Sequence, residues 1–145
     1  MQSLTGREYP PFEVEVEKRW IRSFAAAVGD DDPLYRDEAK ARSAGYPSIV
    51  APPTFAFTIA MEARQPLRVL EDLGVDPTRT MHGEQSFRYH RPICAGDLIR
   101  GRQRVTAMYD KKGGALTFVV TETALDNQRG ERVCELGTTI VVRNG

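Results

Sequence analysis

A carboxylate and a phenol stand five residues apart, Asp30 and Tyr35, in the stretch Gly29-Asp30-Asp31-Asp32-Pro33-Leu34-Tyr35. A carboxylate accepts a proton and a phenol donates a hydrogen bond, so together they are candidates to hold one water molecule. A phenol with a reference pKa of about 10 is a poor general base at neutral pH. The structural alternative is a turn in which Asp30 binds backbone N–H groups and Tyr35 fills space. Three consecutive carboxylates rarely converge on one ion, so no metal site is expected from Asp30 to Asp32. His82 and Glu84, two residues apart, form an alternative acid/base pair if they share a strand face. His90 has the same parity and neighbours Arg91, a pair suited to contact with a phosphate group. A solvated strand face is the competing reading of all four. No Ser/His/Asp arrangement, glycine-rich phosphate loop or metal-ligand cluster is present.

These side chains need elements to position them. Phe12-Glu13-Val14-Glu15-Val16 alternates apolar and acidic and predicts a short strand with one wet face. Val16, Trp20, Phe24 and Val28 then recur every four residues, widened by Ile21 and Ala25. This predicts an amphipathic helix of about three turns that stops at Gly29. Asp32 is placed to cap the next helix, and Pro33 suits its first position. Asp37 to Ala44 reads as helix, with Gly45 as its stop. Ala51 to Met61 is apolar on all sides and predicts a helix buried all round, begun by Pro52 and Pro53. A strand over Thr54 to Ile59 is the weaker alternative. Pro66 ends or kinks this helix, and a further turn or two runs to Gly74.

From Thr80 the pattern becomes that of strands. Asp110 to Gly114 and Asp126 to Gly130 are polar hairpin loops between them. The order is a short strand, helices, one buried helix and a run of antiparallel strands. It predicts an α+β hot dog fold, in which an antiparallel meander wraps a central helix. The open edge and helix face of such a unit call for a second copy, so a dimer is expected.

At 145 residues the chain is read as one domain, 1–145, long enough to bury a core. Basic and acidic residues balance at 20 each, and the arginines form no stripe, which argues against a nucleic-acid partner. No apolar run is long enough to span a bilayer, and the first residues lack a signal-peptide pattern, so a cytoplasmic protein is expected. Cys94 and Cys134 are read as buried, reduced thiols.

Gly29, Asp30, Pro33, Leu34 and Ala41, six residues beyond Tyr35, match the pattern Gly-Asp-any-Asn-Pro-aliphatic-His of the MaoC-like, (R)-specific enoyl hydratase/dehydratase family. Phe87 to Asp97 matches the pattern F-x-x-x-x-P-x-x-x-G-D of that family, and Ala51-Pro52-Pro53-Thr54-Phe55 falls where catalytic members begin the central helix with Ala-His-Gly. The chain resembles this family from about Phe12 onward. It looks most like the N-terminal MaoC-like dehydratase branch, which includes the partner subunits of mycobacterial (3R)-hydroxyacyl-carrier-protein dehydratases.

The resemblance implies binding of (3R)-hydroxyacyl or trans-2-enoyl thioesters, carried on coenzyme A or acyl carrier protein, with no other cofactor. In catalytic members an Asp and a His activate water, and a backbone N–H at the start of the helix binds the thioester oxygen. Here Tyr35 stands in place of the His. Pro53 stands in place of the Gly and has no N–H, leaving Thr54 as the nearest donor. Asp30 and Tyr35 are thus the candidate catalytic pair, with Pro53, Thr54, His90 and Arg91 the candidate substrate contacts. The expected role is a substrate-binding subunit or weak dehydratase, in a homodimer or a heterodimer with a catalytic MaoC-like subunit. The alternative is a hot dog acyl-thioester hydrolase, with Glu62 on the central helix as its carboxylate.

Overall fold

The computed structural model describes residues 1–145. The alternating stretch at the start forms β1 (Phe12–Glu15), and α1 (Lys18–Ala27) comes after it. The four-residue spacing does its work on one side of α1. Ile21 and Ala25 are buried, and the half-buried Trp20 and Phe24 pack edge-on against Phe55, with ring centroids 4.7 and 5.4 Å apart. Val28, expected to extend that stripe, is 55% exposed. The helix ends at Ala27, and Gly29 (φ +73°) turns the chain away before Val28 can reach the core.

The acidic turn contains a single 3₁₀ turn at Pro33–Tyr35, and α2 (Glu38–Ser43) comes next. Both are capped from their own sequence. Asp32 Oδ1 accepts from the Leu34 N–H at 2.9 Å, and Asp37 Oδ1 accepts from the Lys40 N–H at 3.1 Å.

The central helix is α3 (Phe55–Glu62). It begins after the two prolines, with the Phe55 N–H donating to Pro52 O at 3.0 Å. Phe55, Ala56, Ile59 and Ala60 are buried, but Phe57 and Thr58 are half-buried and Met61 is 40% exposed. Burial all round is therefore not met within one chain, because five strands cover only one side of the helix. Arg64, in the left-handed conformation, reverses the chain into α4 (Gln65–Leu73).

The strands β2 (Thr80–Tyr89), β3 (Leu98–Lys111), β4 (Leu116–Asp126) and β5 (Arg132–Arg143) join β1 in one antiparallel sheet of order β1-β3-β4-β5-β2. This is the hot dog arrangement, although only β3 to β5 form the expected meander. β2 pairs with β5 instead of β3, and the connection Pro92–Asp97 carries the chain across to the other side of the sheet. That crossing is tied down. Gly96 (φ +91°) donates to Val16 O at 2.8 Å, and Asp97 Oδ2 accepts from the Cys94 N–H at 2.9 Å.

The two edges of the sheet differ. Residues before β1 continue along β3, with Tyr9 N–H donating to Gln103 O at 2.9 Å and Gly6 N–H to Val105 O at 2.8 Å. The ten residues of β2 have no strand on their outer side.

A cluster of 17 buried residues, including Ile21, Phe55, Ile59, Ile99 and Leu136, forms the main core between helices and sheet. A satellite cluster of Tyr9, Val69, Val105, Val119 and Val142 lies under α4. Tyr9 Oη donates to Asp72 there at 2.9 Å. Gln65, one turn before Val69, and Gln103, two residues before Val105, are buried, and the side-chain oxygen of each has no hydrogen-bond partner. No helix is long and apolar enough to cross a membrane. Both cysteines are free and buried, and burial pushes each thiol up to about 11.

Phe55 is the hub between α1 and the sheet. Replacing it with Ala is expected to cost about 3–5 kcal/mol by thermal or denaturant unfolding, and to change the fluorescence of Trp20, which loses its ring contact. An unchanged unfolding curve would show that the ring contributes nothing to packing.

Candidate functional site

Three backbone hydrogen bonds gather the candidate residues. Val50 N–H donates to Leu34 O at 2.8 Å, Ala51 N–H to Ile93 O at 2.8 Å, and Ala95 N–H to Ile49 O at 2.9 Å. The segment Ile49–Ala51 thereby lies between the acidic turn and the Pro92–Asp97 crossing, just before α3. A cavity of about 360 Å³ results, with Tyr35, Tyr46, Pro53, Tyr89, His90 and Arg91 in its wall and Val50, Ala51 and Ile93 beneath them.

The structure thus brings Tyr35, Pro53, His90 and Arg91 to one place. Asp30 and Thr54 are not in the wall; both are exposed beside it. Asp30 Oδ1 accepts from the Asp32 N–H at 3.1 Å, so one of its oxygens holds the turn. Tyr35 is half-buried and packs against the main core. Burial and then the Asp30 and Asp32 carboxylates push the Tyr35 phenol above its ordinary value, with Tyr46 adding to them. The group is a proton donor at neutral pH and not a base.

At the rim, His90 and Arg91 already have partners. His90 Nε2 lies 2.8 Å from Glu135 Oε2, and Arg91 Nε lies 3.0 Å from Glu131 Oε2. The hydrogen bond from His90 is the main cause holding the Glu135 carboxyl below its usual range. Arg129 is the main cause for Glu131, with Asn127 and Arg91 contributing. A phosphate reaching either side chain has to compete with a carboxylate.

His82 and Glu84 do not form a pair. A bulge at Gly83 sets His82 opposite Ile140 and Glu84 opposite Thr139, neighbouring residues on opposite faces of β5. His82 turns to the helix side, its ring 4.9 Å from Phe57, and Nε2 is 3.0 Å from Gln85 Oε1. A Cβ at Gly83 would lie 2.9 Å from Val141 Cγ2, which explains the glycine there. Glu62 lies at the far end of α3, about 12 Å along the helix from the cavity. It lines a separate hollow with Glu13, Glu15, Glu17 and Trp20. Larger hollows of 440 and 690 Å³ lie on the outer face of the sheet and beside the chain ends. Neither touches the acidic turn or the start of α3, and the wall of the 440 Å³ hollow is mostly charged and polar. The smaller cavity is the better candidate because its wall is largely apolar and its phenols converge.

Tyr46 and Tyr89 were not among the candidates from sequence. Tyr46 sits in the connector after Gly45, and nothing in its surroundings marks it. Tyr89 shares a strand face with Phe87, and that parity was the available signal. The two rings are stacked with centroids 6.5 Å apart. The Tyr89 hydroxyl donates to Pro53 O.

A family model described as FAS1-like, dehydratase domain region matches residues 3–136. A UPF0336 protein of Saccharopolyspora erythraea is 41% identical over 143 residues, covering 98% of this chain and 90% of its own. Among solved structures, a chain of the C-terminally truncated HadBC (3R-hydroxyacyl-ACP dehydratase) complex from Mycobacterium tuberculosis is 30% identical. Its TM-score is 0.82, and the match covers 97% of this chain and 98% of that one. A MaoC-like dehydratase is also 30% identical, with a TM-score of 0.87; the match covers 99% of this chain but 43% of that longer one.

The environment of Tyr35 sets its titration. Asp30→Asn removes one of the charges that hold the phenol proton, so the Tyr35 midpoint is expected to move down toward the ordinary tyrosine value. Tyrosine ring carbon shifts followed by NMR through the alkaline range read this directly. An unmoved midpoint would mean that Asp30 does not act on the phenol.

Proposed function

Since the chain belongs to the FAS1-like dehydratase-region family and has the fold of MaoC-like dehydratases, we propose that it is a partner subunit of a (3R)-hydroxyacyl-thioester dehydratase. It binds (3R)-hydroxyacyl or trans-2-enoyl thioesters of coenzyme A or acyl carrier protein, and a catalytic MaoC-like subunit supplies the Asp/His pair. The observation that carries this reading is the coincidence of two losses in one cavity wall. Tyr35 is a phenol kept protonated where the family motif has its base, and Pro53 has no N–H where the motif has its oxyanion donor.

The losses are large on a kinetic scale. A general base is worth roughly 10²–10⁴ in rate, and one oxyanion donor about 10²–10³. The cavity keeps what binding needs: an apolar floor, hydroxyls in the wall, and an imidazole and a guanidinium at the rim. The unpaired ten-residue edge of β2 supports the heteromeric part of the reading. Its backbone N–H and C=O groups are ready to pair with another strand, and Met81 on it is 48% exposed. The neighbour in the HadBC complex is itself one chain of a heteromer. The hydrolase reading loses support because Glu62 stands at the wrong end of α3.

The test is hydration of crotonyl-CoA. The purified chain is expected to be slow or inactive, and Tyr35→His combined with Pro53→Gly to raise the rate by at least about tenfold, since each change restores a group worth more than that. Co-expression with a MaoC-like subunit that carries the intact Gly-Asp-any-Asn-Pro-any-His motif is expected to give a stable complex. Efficient hydration by the wild-type chain alone would sink the partner-subunit reading. Thioester hydrolysis without hydration would replace it with the hydrolase.

A further inference from the structure

Arginines that are scattered along the chain gather on the outer face of the sheet. Phe87 packs against the main core and Gln103 is buried, so the alternate residues Arg88 and Arg102 face outward. Strand register sets them in one row. Arg102 lies opposite Ala124, Ala124 opposite Glu135, and Glu135 opposite Arg88. Three strand spacings, roughly 14 Å, separate the two arginine Cα atoms. The floor between them is low. Ala124 carries a single methyl, and in the next row the Ser86 hydroxyl fills the place that a Cβ on Gly137 would take. The 440 Å³ hollow is the result. Its arginines are unequally neutralised. Glu122 takes Arg104 at 2.9 Å, and Asp126 and Glu135 share Arg132. Glu135 also lies 2.8 Å from His90 but 4.0 Å from Arg88. Arg102 makes no ion pair, because an alanine faces it. The remaining carboxylate of the wall, Glu8, is exposed and bridged to the Arg104 backbone. Two guanidinium groups on opposite sides of the hollow are thus left with donors to spare.

The geometry points to this hollow as a second binding site, for a ligand that carries a diphosphate, with Arg102 and Arg88 as its two clamps and the Ser86 hydroxyl on its floor. Two linked phosphates present paired oxygens to planar forks arriving from both sides, whereas a single carboxylate satisfies one fork. The diphosphate belongs either to a free phosphoester or to coenzyme A. The second source is within reach because the hollow adjoins the candidate cavity: Glu135 in the wall of one is bonded to His90 in the wall of the other. Pairing of β2 with a partner strand runs in the plane of the sheet and leaves this face open. The site itself stands apart from the acyl-thioester reading, since none of its residues belongs to the family motifs.

Inorganic pyrophosphate titrated into the full chain at low salt tests this, followed by NMR at the backbone amides of Ser86, Ala124 and Gly137. The three are expected to shift along one saturating curve. Arg102→Ala and Arg88→Ala change exposed side chains and leave the core intact. Each is expected to weaken binding roughly three- to tenfold, the worth of a charged hydrogen bond discounted for exposure. Arg19→Ala removes an equal charge from α1 and is expected to change the affinity by less than about twofold, the effect of net charge alone. Coenzyme A is the second probe. Loss of its shifts at the three amides in Arg102→Ala assigns the diphosphate to coenzyme A. A pyrophosphate response that needs Arg102, with no coenzyme A response at these amides, upholds the site and assigns it to a separate phosphoester. Silence of the three amides toward pyrophosphate overturns the proposal. So does an equal loss in Arg19→Ala, or citrate binding as tightly as pyrophosphate, since either makes the hollow a general anion trap.

Discussion

The site depends on the backbone tie at Ile49–Ala51. Three hydrogen bonds of 2.8–2.9 Å run from it to Leu34 on one side and to Ile93 and Ala95 on the other. They fix the acidic turn, the head of α3 and the β2–β3 crossing relative to one another before any side chain is considered. Each bond alone is worth about 1 kcal/mol, but a buried tie of this kind is costly to break because its groups would be left unpaired. Ile49 and Ile93, both at most 1% exposed, seal it from water. The wall of the cavity is a consequence of this tie, since Tyr35, Pro53 and Arg91 each lie within three residues of it or of its partners.

The motif residues divide between fold and chemistry. Gly29 and Gly96 adopt positive φ, and Asp30, Asp32 and Asp97 satisfy backbone N–H groups. These positions keep the turn and the crossing in shape whether or not the chain catalyses anything. Two of the motif positions whose residues differ, Tyr35 and Pro53, lie in the cavity wall. The first puts a phenol where the motif has a His, and the second puts a nitrogen without an N–H where it has a Gly. The fold of the MaoC-like dehydratases is retained around them.

Much of this was legible in the residues, for physical reasons that can be named. Period-four spacing located α1, paired prolines located the start of α3, and the loops at Asp110–Gly114 and Asp126–Gly130 separated the strands. What failed was non-local. The pairing of β2 with β5 depends on a crossing whose anchors, Val16 and Ile49, are distant in sequence. The bulge at Gly83 reversed the parity that had joined His82 to Glu84, and a lone glycine in a strand does not say which way it shifts the register. Tyr46 and Tyr89 were missed because only the folded chain brings them to Tyr35. Val28 obeyed the helical spacing but lay one residue beyond the helix.

The satellite core under α4 has a consequence for how the molecule breathes. It holds five buried residues against 17 in the main core, and two buried amide oxygens beside it are unpaired. A helix held by so little apolar contact, and by the latch of Tyr9 and Arg7 on Asp72, opens at lower free energy than the rest. Segments that open together form one cooperative unit. Here that unit is α4 with the strap before β1, and it lies against the far end of the sheet. The chain can therefore shed and regain one corner while the cavity stays assembled. Early proteolytic nicks would fall near Arg64 and the first residues, not in the acidic turn.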